Sequence, residues 1–194
     1  MPVEIEAKIK VNELAEVRER LQKAGANHVG EAMETNIFFD TDDRSLLAAD
    51  EGLRLRQKKD LSGQSPETYT ITFKGPRHPG ALKSRDELEL GVASSKDAVA
   101  LLDRLGFHKV LTFEKKRESW KLEGCLVELD ELPHLGSYVE IEGPKEDAIL
   151  KVREILHLSD RPLVKASYIA LLMTYLQEQG KSHRVVAFST ADRV

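Results

Sequence analysis

A chain of 194 residues that is 41% hydrophobic and 32% charged can bury one substantial core but is short for two independent domains. Its net charge of -4 sums 29 Lys+Arg against 33 Asp+Glu, which argues against a uniformly basic nucleic-acid binder and makes the placement of charge more informative than its total. No apolar run approaches the roughly 20 residues of a bilayer-spanning helix, and Met1 and Pro2 lead straight into charged sequence, so a soluble, cytoplasmic protein without a membrane partner is expected.

Charged and apolar residues alternate strictly from Val3 to Ile9, the pattern of a strand with two unlike faces, and this puts Glu4, Glu6 and Lys8 on one face. A helix capped by Asn12 is expected next, with Leu14, Val17, Leu21 and Ala24 at helical spacing and Gly25 ending it. An extended piece containing Asn36-Ile37-Phe38-Phe39-Asp40 follows. Alternation returns in Leu53-Arg54-Leu55-Arg56 and in Tyr69-Thr70-Ile71-Thr72-Phe73-Lys74, with loops predicted over 57–67 and 75–84 from their Gly and Pro content.

The order then begins again. Arg85, Glu87 and Glu89 alternate with Asp86, Leu88 and Leu90, and a helix capped by Ser95 runs through Ala98, Val99, Leu102 and Leu105 to Gly106. Three strands carry Lys115 with Arg117, Glu128 with Asp130, and Glu140 with Glu142 at alternate positions. Two helices close the pattern, one with Pro144 at its first position and one capped by Ser167 and carrying Leu171, Leu172 and Leu176. The expected fold is α+β, mainly β: over residues 1–178, a pseudo-duplicated sheet with flanking helices and about eight antiparallel strands, a number at which closure into a barrel becomes possible. Residues 179–194 read as a polar tail. Its Gly180-Lys181-Ser182 is no phosphate-binding loop, because Tyr175 stands where that motif needs its first glycine.

Alternating charge on a single strand is ordinarily the wet face of an antiparallel sheet. Here, however, acids recur in i, i+2 pairs (Glu4 with Glu6, Glu87 with Glu89, Glu128 with Asp130, Glu140 with Glu142) and bases do the same (Arg54 with Arg56, Lys115 with Arg117). Carboxylates so crowded call for neighbouring cations or a divalent metal, and all-oxygen ligands favour Mg²⁺ or Mn²⁺. On the inside of a barrel the bases could hold phosphate oxygens while the acids hold the metal, which suits a polyphosphate chain. The single Cys125 sits in an apolar strand pattern and is expected to be a packed thiol.

Glu4-x-Glu6-x-Lys8, followed in order by Asn36 to Asp40, Arg54-x-Arg56, Thr72-x-Lys74, Arg85-x-Glu87-x-Glu89, Lys115-x-Arg117, Asp130, Gly136, Glu140-x-Glu142 and Lys165 with Ser167-Tyr168, resembles the CYTH superfamily of triphosphate tunnel metalloenzymes over residues 2–176. The resemblance implies an eight-stranded tunnel acting on a triphosphate-bearing small molecule. It implies metal ligation by Glu4, Glu6, Glu140 and Glu142, supported or shared by Glu87, Glu89 and Asp130. Phosphate binding would fall to Lys8, Arg54, Arg56, Lys74, Arg85, Lys115, Arg117 and Lys165, with Lys8 and Asp130 closest to the reaction. The plainer reading of each is a lumen salt bridge that shapes the barrel.

Three activities fit that resemblance: metal-dependent hydrolysis of a triphosphate, cyclisation of ATP to cAMP and pyrophosphate, and turnover-free sensing of polyphosphate or nucleotide. The family's class IV adenylate cyclases carry a His-Phe pair shortly before Glu-x-Glu-x-Lys, where this chain has Met1 to Val3. Its thiamine triphosphatases place a tryptophan before Arg-x-Arg, where Gly52 and Leu53 stand. Phe73-Lys74-Gly75-Pro76 and Leu135-Gly136-Ser137-Tyr138 look instead like the cyclase-type bacterial members. Hydrolysis is the leading expectation, with a homodimer as the default assembly.

Overall fold

The computed structural model describes residues 3–182 and 184–189. In chain order the elements are β1 (Val3–Val11), α1 (Leu14–Lys23), β2 (Asn27–Asp40), the short α2 (Ser45–Ala48), β3 (Gly52–Asp60) and β4 (Thr68–Arg77). A second series repeats the plan: β5 (Lys83–Val92), α3 (Ser95–Arg104), β6 (His108–Leu122), β7 (Cys125–Leu132) and β8 (Gly136–Glu142). After these come α4 (Glu146–Ile155), α5 (Tyr168–Glu178) and a two-residue β9 (Val185–Val186). Among the described residues no helix is long and apolar enough to cross a membrane.

The strands run in the order β2-β3-β4-β5-β1-β8-β7-β6, and pairing of β6 back onto β2 closes them into an eight-stranded barrel. All eight contacts are antiparallel. Because side chains alternate across a strand, closure sends one set inward and the other outward. The apolar set faces out. Ala7, Ile9, Val127, Leu129, Val139 and Ile141 lie under Val17 and Leu21 of α1 and Ile149 and Val152 of α4. Ile37, Phe39, Leu53 and Leu55 lie under Ala98 and Leu102 of α3. Burial of each such side chain contributes roughly 1.5–3 kcal/mol, so the shell between barrel and helices, and not the charged interior, carries the stability of the fold. Helix α5 is placed differently. Its Leu172 and Leu176 pack with Leu111, Phe113, Leu132 and Tyr138, so it lies against one end of the lumen.

Several local expectations change. The residue before α1 is Glu13, with no side-chain cap, so Asn12 does not cap that helix. Ser94, not Ser95, accepts the Asp97 N–H at the start of α3. Pro144 precedes Lys145, the N-cap residue of α4, and so lies outside the helix. Ser167 caps α5 as expected, accepting from the Ala170 N–H. The predicted loops are shorter, because β3 continues to Asp60, β4 to Arg77, and β5 starts at Lys83. Cys125 is a free, buried thiol whose pKa is pushed up by burial. Of the expected tail 179–194, residues 183 and 190–194 lie outside the described residues. Val185 and Val186 pair in parallel with Thr112 and Phe113 of β6, and Val186 and Phe188 are buried.

Gly143 marks a tight joint between the β8 end and α4. A Cβ there would stand 2.8 Å from Cys125 Sγ and 2.9 Å from Ile149 Cγ1, closer than such atoms approach. Gly143→Ala is therefore expected to lower stability by about 1–3 kcal/mol, read as a lower denaturant midpoint with an unchanged slope.

Candidate functional site

The inward-facing set lines a cavity of ≈ 1030 Å³. Strand β1 supplies Glu4, Glu6 and Lys8, β3 supplies Arg54 and Arg56, and β4 supplies Lys74. Arg85, Glu87 and Glu89 come from β5, Lys115 and Arg117 from β6, Glu128 from β7, Glu140 and Glu142 from β8, and Lys165 from the segment before α5. The barrel thus brings together on one lumen wall all but one of the residues predicted from sequence. Asp130, on the same inward face as Glu128, is fully buried beneath Lys115, Arg117 and Tyr168 and does not border the cavity.

Cross-strand register sets the charge pattern. Glu6 stands opposite Lys83 on one neighbouring strand and opposite Glu142 on the other, while Glu140 stands opposite Lys8 and Glu128. Directly opposed carboxylates repel. Cations relieve part of this: Lys74 Nζ lies 2.6 Å from Glu4 and 2.9 Å from Glu87, Lys83 pairs with Glu6, and Lys8 lies 3.3 Å from Glu140. Burial, then the nearby Glu4, Glu6 and Glu87, push the Glu142 carboxyl up to about 6. A carboxylate cluster that raises the pKa of one of its own members has an unmet demand for positive charge, so the donor set fits a divalent cation.

Arg117 organises the β6–β7–β8 side. Its Nε and Nη2 each donate to Asp130 at 2.6 Å, and Nη2 also donates to Glu140 at 2.5 Å, while Nη1 pairs with Glu128. Asp130 further accepts from Lys115 Nζ at 3.1 Å and from the Tyr168 hydroxyl at 2.9 Å. Burial, helped by the neighbouring Asp130 and Glu140 charges, outweighs Arg117 and Lys115 and raises the pKa of Glu128, whereas Lys8 and Arg117 outweigh burial and hold Glu140 well below the usual range.

On the β2–β3 side the balance turns basic. Arg56 Nε donates to Asn36 Oδ1 at 3.0 Å, and Arg54 Nη2 to the Thr72 hydroxyl at 2.9 Å. Burial, then Arg56, lower the Arg54 pKa to about 10, which still leaves it cationic at neutral pH. Asn36 Nδ2, Arg54 Nε and Arg85 Nε are buried donors without a hydrogen-bond acceptor among the described residues. Orphan donors beside crowded guanidinium groups are groups that an anion would satisfy.

Three lumen residues escaped the sequence reading as site members. Glu34, 1% exposed, has Oε2 at 3.1 Å from Arg56 Nε and 3.5 Å from Lys115 Nζ; burial opposes its charge, but Arg56, Lys115, Arg117 and Arg54 outweigh burial and hold its pKa far below normal. Lys83 pairs with Glu6. Tyr168 sits under Lys8, whose Nζ lies 3.8 Å from the ring centroid. Glu34 and Lys83 each stand two residues before a motif residue, Asn36 and Arg85, so extending the alternation by one step finds them. A compact His28, Glu31 and Glu118 group also has metal-ligand spacing. It lies outside the lumen, and Glu118 is taken by Arg18, which donates at 2.7 and 2.9 Å, and by Trp120 Nε1.

The CYTH domain family model matches residues 2–168. A chain of Methanocaldococcus jannaschii named "Putative adenylate cyclase MJ0240" is 27% identical over 178 residues, covering 87% of this chain and 98% of that one. The structure of the PH1819 protein from Pyrococcus horikoshii OT3 is similar with a TM-score of 0.77 at 29% identity, over 89% of this chain and 99% of that chain. A Hippeastrum protein, "Putative adenylyl cyclase HpAC1", is described as having a dominant triphosphatase activity. It aligns with a TM-score of 0.68 over 93% of this chain and 97% of that chain, at 20% identity, a likeness of fold alone.

Glu142 gives the site a pH signature. Its folded pKa of about 6 lies above the ordinary 4.5, so its contribution to stability is full below about 4.5 and is lost as pH rises through 6. In divalent-free buffer, thermal melts of Glu142→Gln are expected to gain on those of the wild type across that window. A constant offset between the two would show that the carboxylate crowding is absent.

Proposed function

Because the chain belongs to the CYTH domain family, we propose that it is a divalent-metal-dependent enzyme that hydrolyses a phosphoanhydride bond of a triphosphate held in the barrel lumen. The observation that carries this reading is the division of one cavity into a carboxylate cluster short of positive charge and a guanidinium cluster with orphan donors. A magnesium- or manganese-bridged triphosphate is the ligand class that meets both demands.

Glu4, Glu6 and Glu142, with support from Glu87 and Glu140, would hold the cation, which supplies Lewis-acid neutralisation of phosphoryl charge when bound. Arg54 and Arg85, whose Nε donors have no acceptor among the described residues, bind the phosphate oxygens together with Arg56, which Asn36 and Glu34 hold in place. Lys8, which lies beside Glu140 and donates to the Ala166 carbonyl at 3.2 Å, would neutralise charge on the leaving phosphate. Asp130, saturated by Lys115, Arg117 and Tyr168, serves as the anchor that aligns those cations. Lys165, exposed at the cavity lining, meets the incoming anion. Glu128, with its raised pKa, accepts the proton of the attacking water. The low-dielectric lumen strengthens each of these contacts relative to water.

Two observations favour a second reading, cyclisation of ATP. The archaeal relative that aligns over nearly its full length carries the adenylate cyclase name, and the lumen has an apolar flank where Phe38 and Phe113 stack at 5.8 Å near Met173 and Ile169, a surface suited to an organic group.

Purified protein incubated with Mg²⁺ or Mn²⁺ and, separately, inorganic triphosphate, ATP and thiamine triphosphate is expected to release phosphate. Glu4→Gln and Arg56→Ala should each lower the rate by about 100-fold or more. Appearance of cAMP with pyrophosphate would replace hydrolysis by the cyclase reading, and tight triphosphate binding without any product would leave a sensor.

A further inference from the structure

Lys83 is the first residue of β5 and the register partner of Glu6. Its side chain is 12% exposed, it lines the cavity, and its Nζ donates to Glu6 Oε1. On the other flank of β1, Glu6 faces Glu142. One carboxylate therefore stands between a tethered ammonium group and a second carboxylate. A divalent cation drawn to Glu6 and Glu142 and the Lys83 ammonium compete for the one Glu6 carboxylate, and two cations in contact there would repel strongly in a partly buried site.

We propose that Lys83 is a resident counter-cation that makes metal loading an exchange: the divalent ion takes Glu6, and the released ammonium turns to the triphosphate that arrives with the metal. This rests on the reading that Glu4, Glu6 and Glu142 form the metal site, and it adds a positioning residue to that reading. The exchange disfavours uptake of a bare metal ion, because the other carboxylates near displaced Lys83, Glu4 and Glu140, are already paired with Lys74, Lys8 and Arg117. It favours the preformed metal–triphosphate complex, whose oxygens replace Glu6 as the partner of Lys83. The tunnel thereby selects the chelate over its separate parts.

Mn²⁺ binding to the full-length protein, measured by calorimetry without any phosphate compound, tests the exchange. Lys83→Met is expected to bind Mn²⁺ about tenfold or more tightly than the wild type, Lys83→Arg to behave as the wild type, and Glu6→Gln added to Lys83→Met to erase the gain. In turnover with magnesium tripolyphosphate, Lys83→Met should raise KM more than it lowers kcat. In the wild type itself, acetylation of Lys83 by a small amine-acylating reagent, followed by peptide mass spectrometry, should accelerate several-fold when Mn²⁺ is added. Equal or weaker Mn²⁺ binding by Lys83→Met, or Mn²⁺-independent acetylation, overturns the exchange. If Glu6→Gln and Glu4→Gln alone leave wild-type Mn²⁺ binding and hydrolysis unchanged, the metal site itself is misplaced, a separate failure.

Discussion

The ladder between β2 and β6 is the constraint on which everything else rests. It is the pairing that joins the two ends of the strand order, and it converts a sheet with one charged face into a tunnel. In an open sheet Glu34, Arg56, Lys115 and Arg117 would be solvated and nearly independent. Across the closed ladder Glu34 stands opposite Lys115, and the low dielectric that results gives both the attraction and the repulsion their strength. Interior ion pairs of this kind contribute little net stability, because each must offset its own desolvation. The outer shell of apolar side chains under α1, α3 and α4 has to carry the fold, which leaves the interior composition to answer to chemistry.

That division explains how much was legible in the sequence. Strict alternation in stretches such as Val3 to Ile9 shows both faces of a strand at once, so about eight strands, their two-fold internal plan and the charged face that becomes the lumen could be read from period-two patterns, while closure into a tunnel came from the motif resemblance. Helix ends were less legible. Ser94 and Ser95 are equally good capping residues by type, and only the local backbone decides which of them turns its hydroxyl to the Asp97 N–H. Strand lengths were underestimated for a related reason: Lys58 and Lys59 lie beyond the covered part of β3, where neither face is apolar and the pattern carries no signal, yet the ladder to β2 continues through them.

Within the site, sequence spacing identified which residues share a wall but not which of them meet. That Arg117 holds Asp130, Glu128 and Glu140 together depends on the β6–β7 and β7–β8 registers, and a shift of one residue in either would send the partners to opposite faces. Tyr168 was legible only as part of a motif, because its place beneath Lys8 is set by how α5 packs across the end of the lumen, a contact between distant segments that no local pattern encodes.

The short β9 has a significance beyond its size. β6 is long enough to pair with β2 along its full length, but β7 covers only its second half, from Lys116 onward. The first half of β6 would otherwise present unpaired backbone donors and acceptors on an extended edge, the geometry through which strands of separate molecules join. Val185 and Val186 occupy that edge at Thr112 and Phe113, and Phe188 fastens the segment by donating its N–H to Glu114. The C-terminal segment thus covers part of a strand edge of a kind that could otherwise template pairing with another chain.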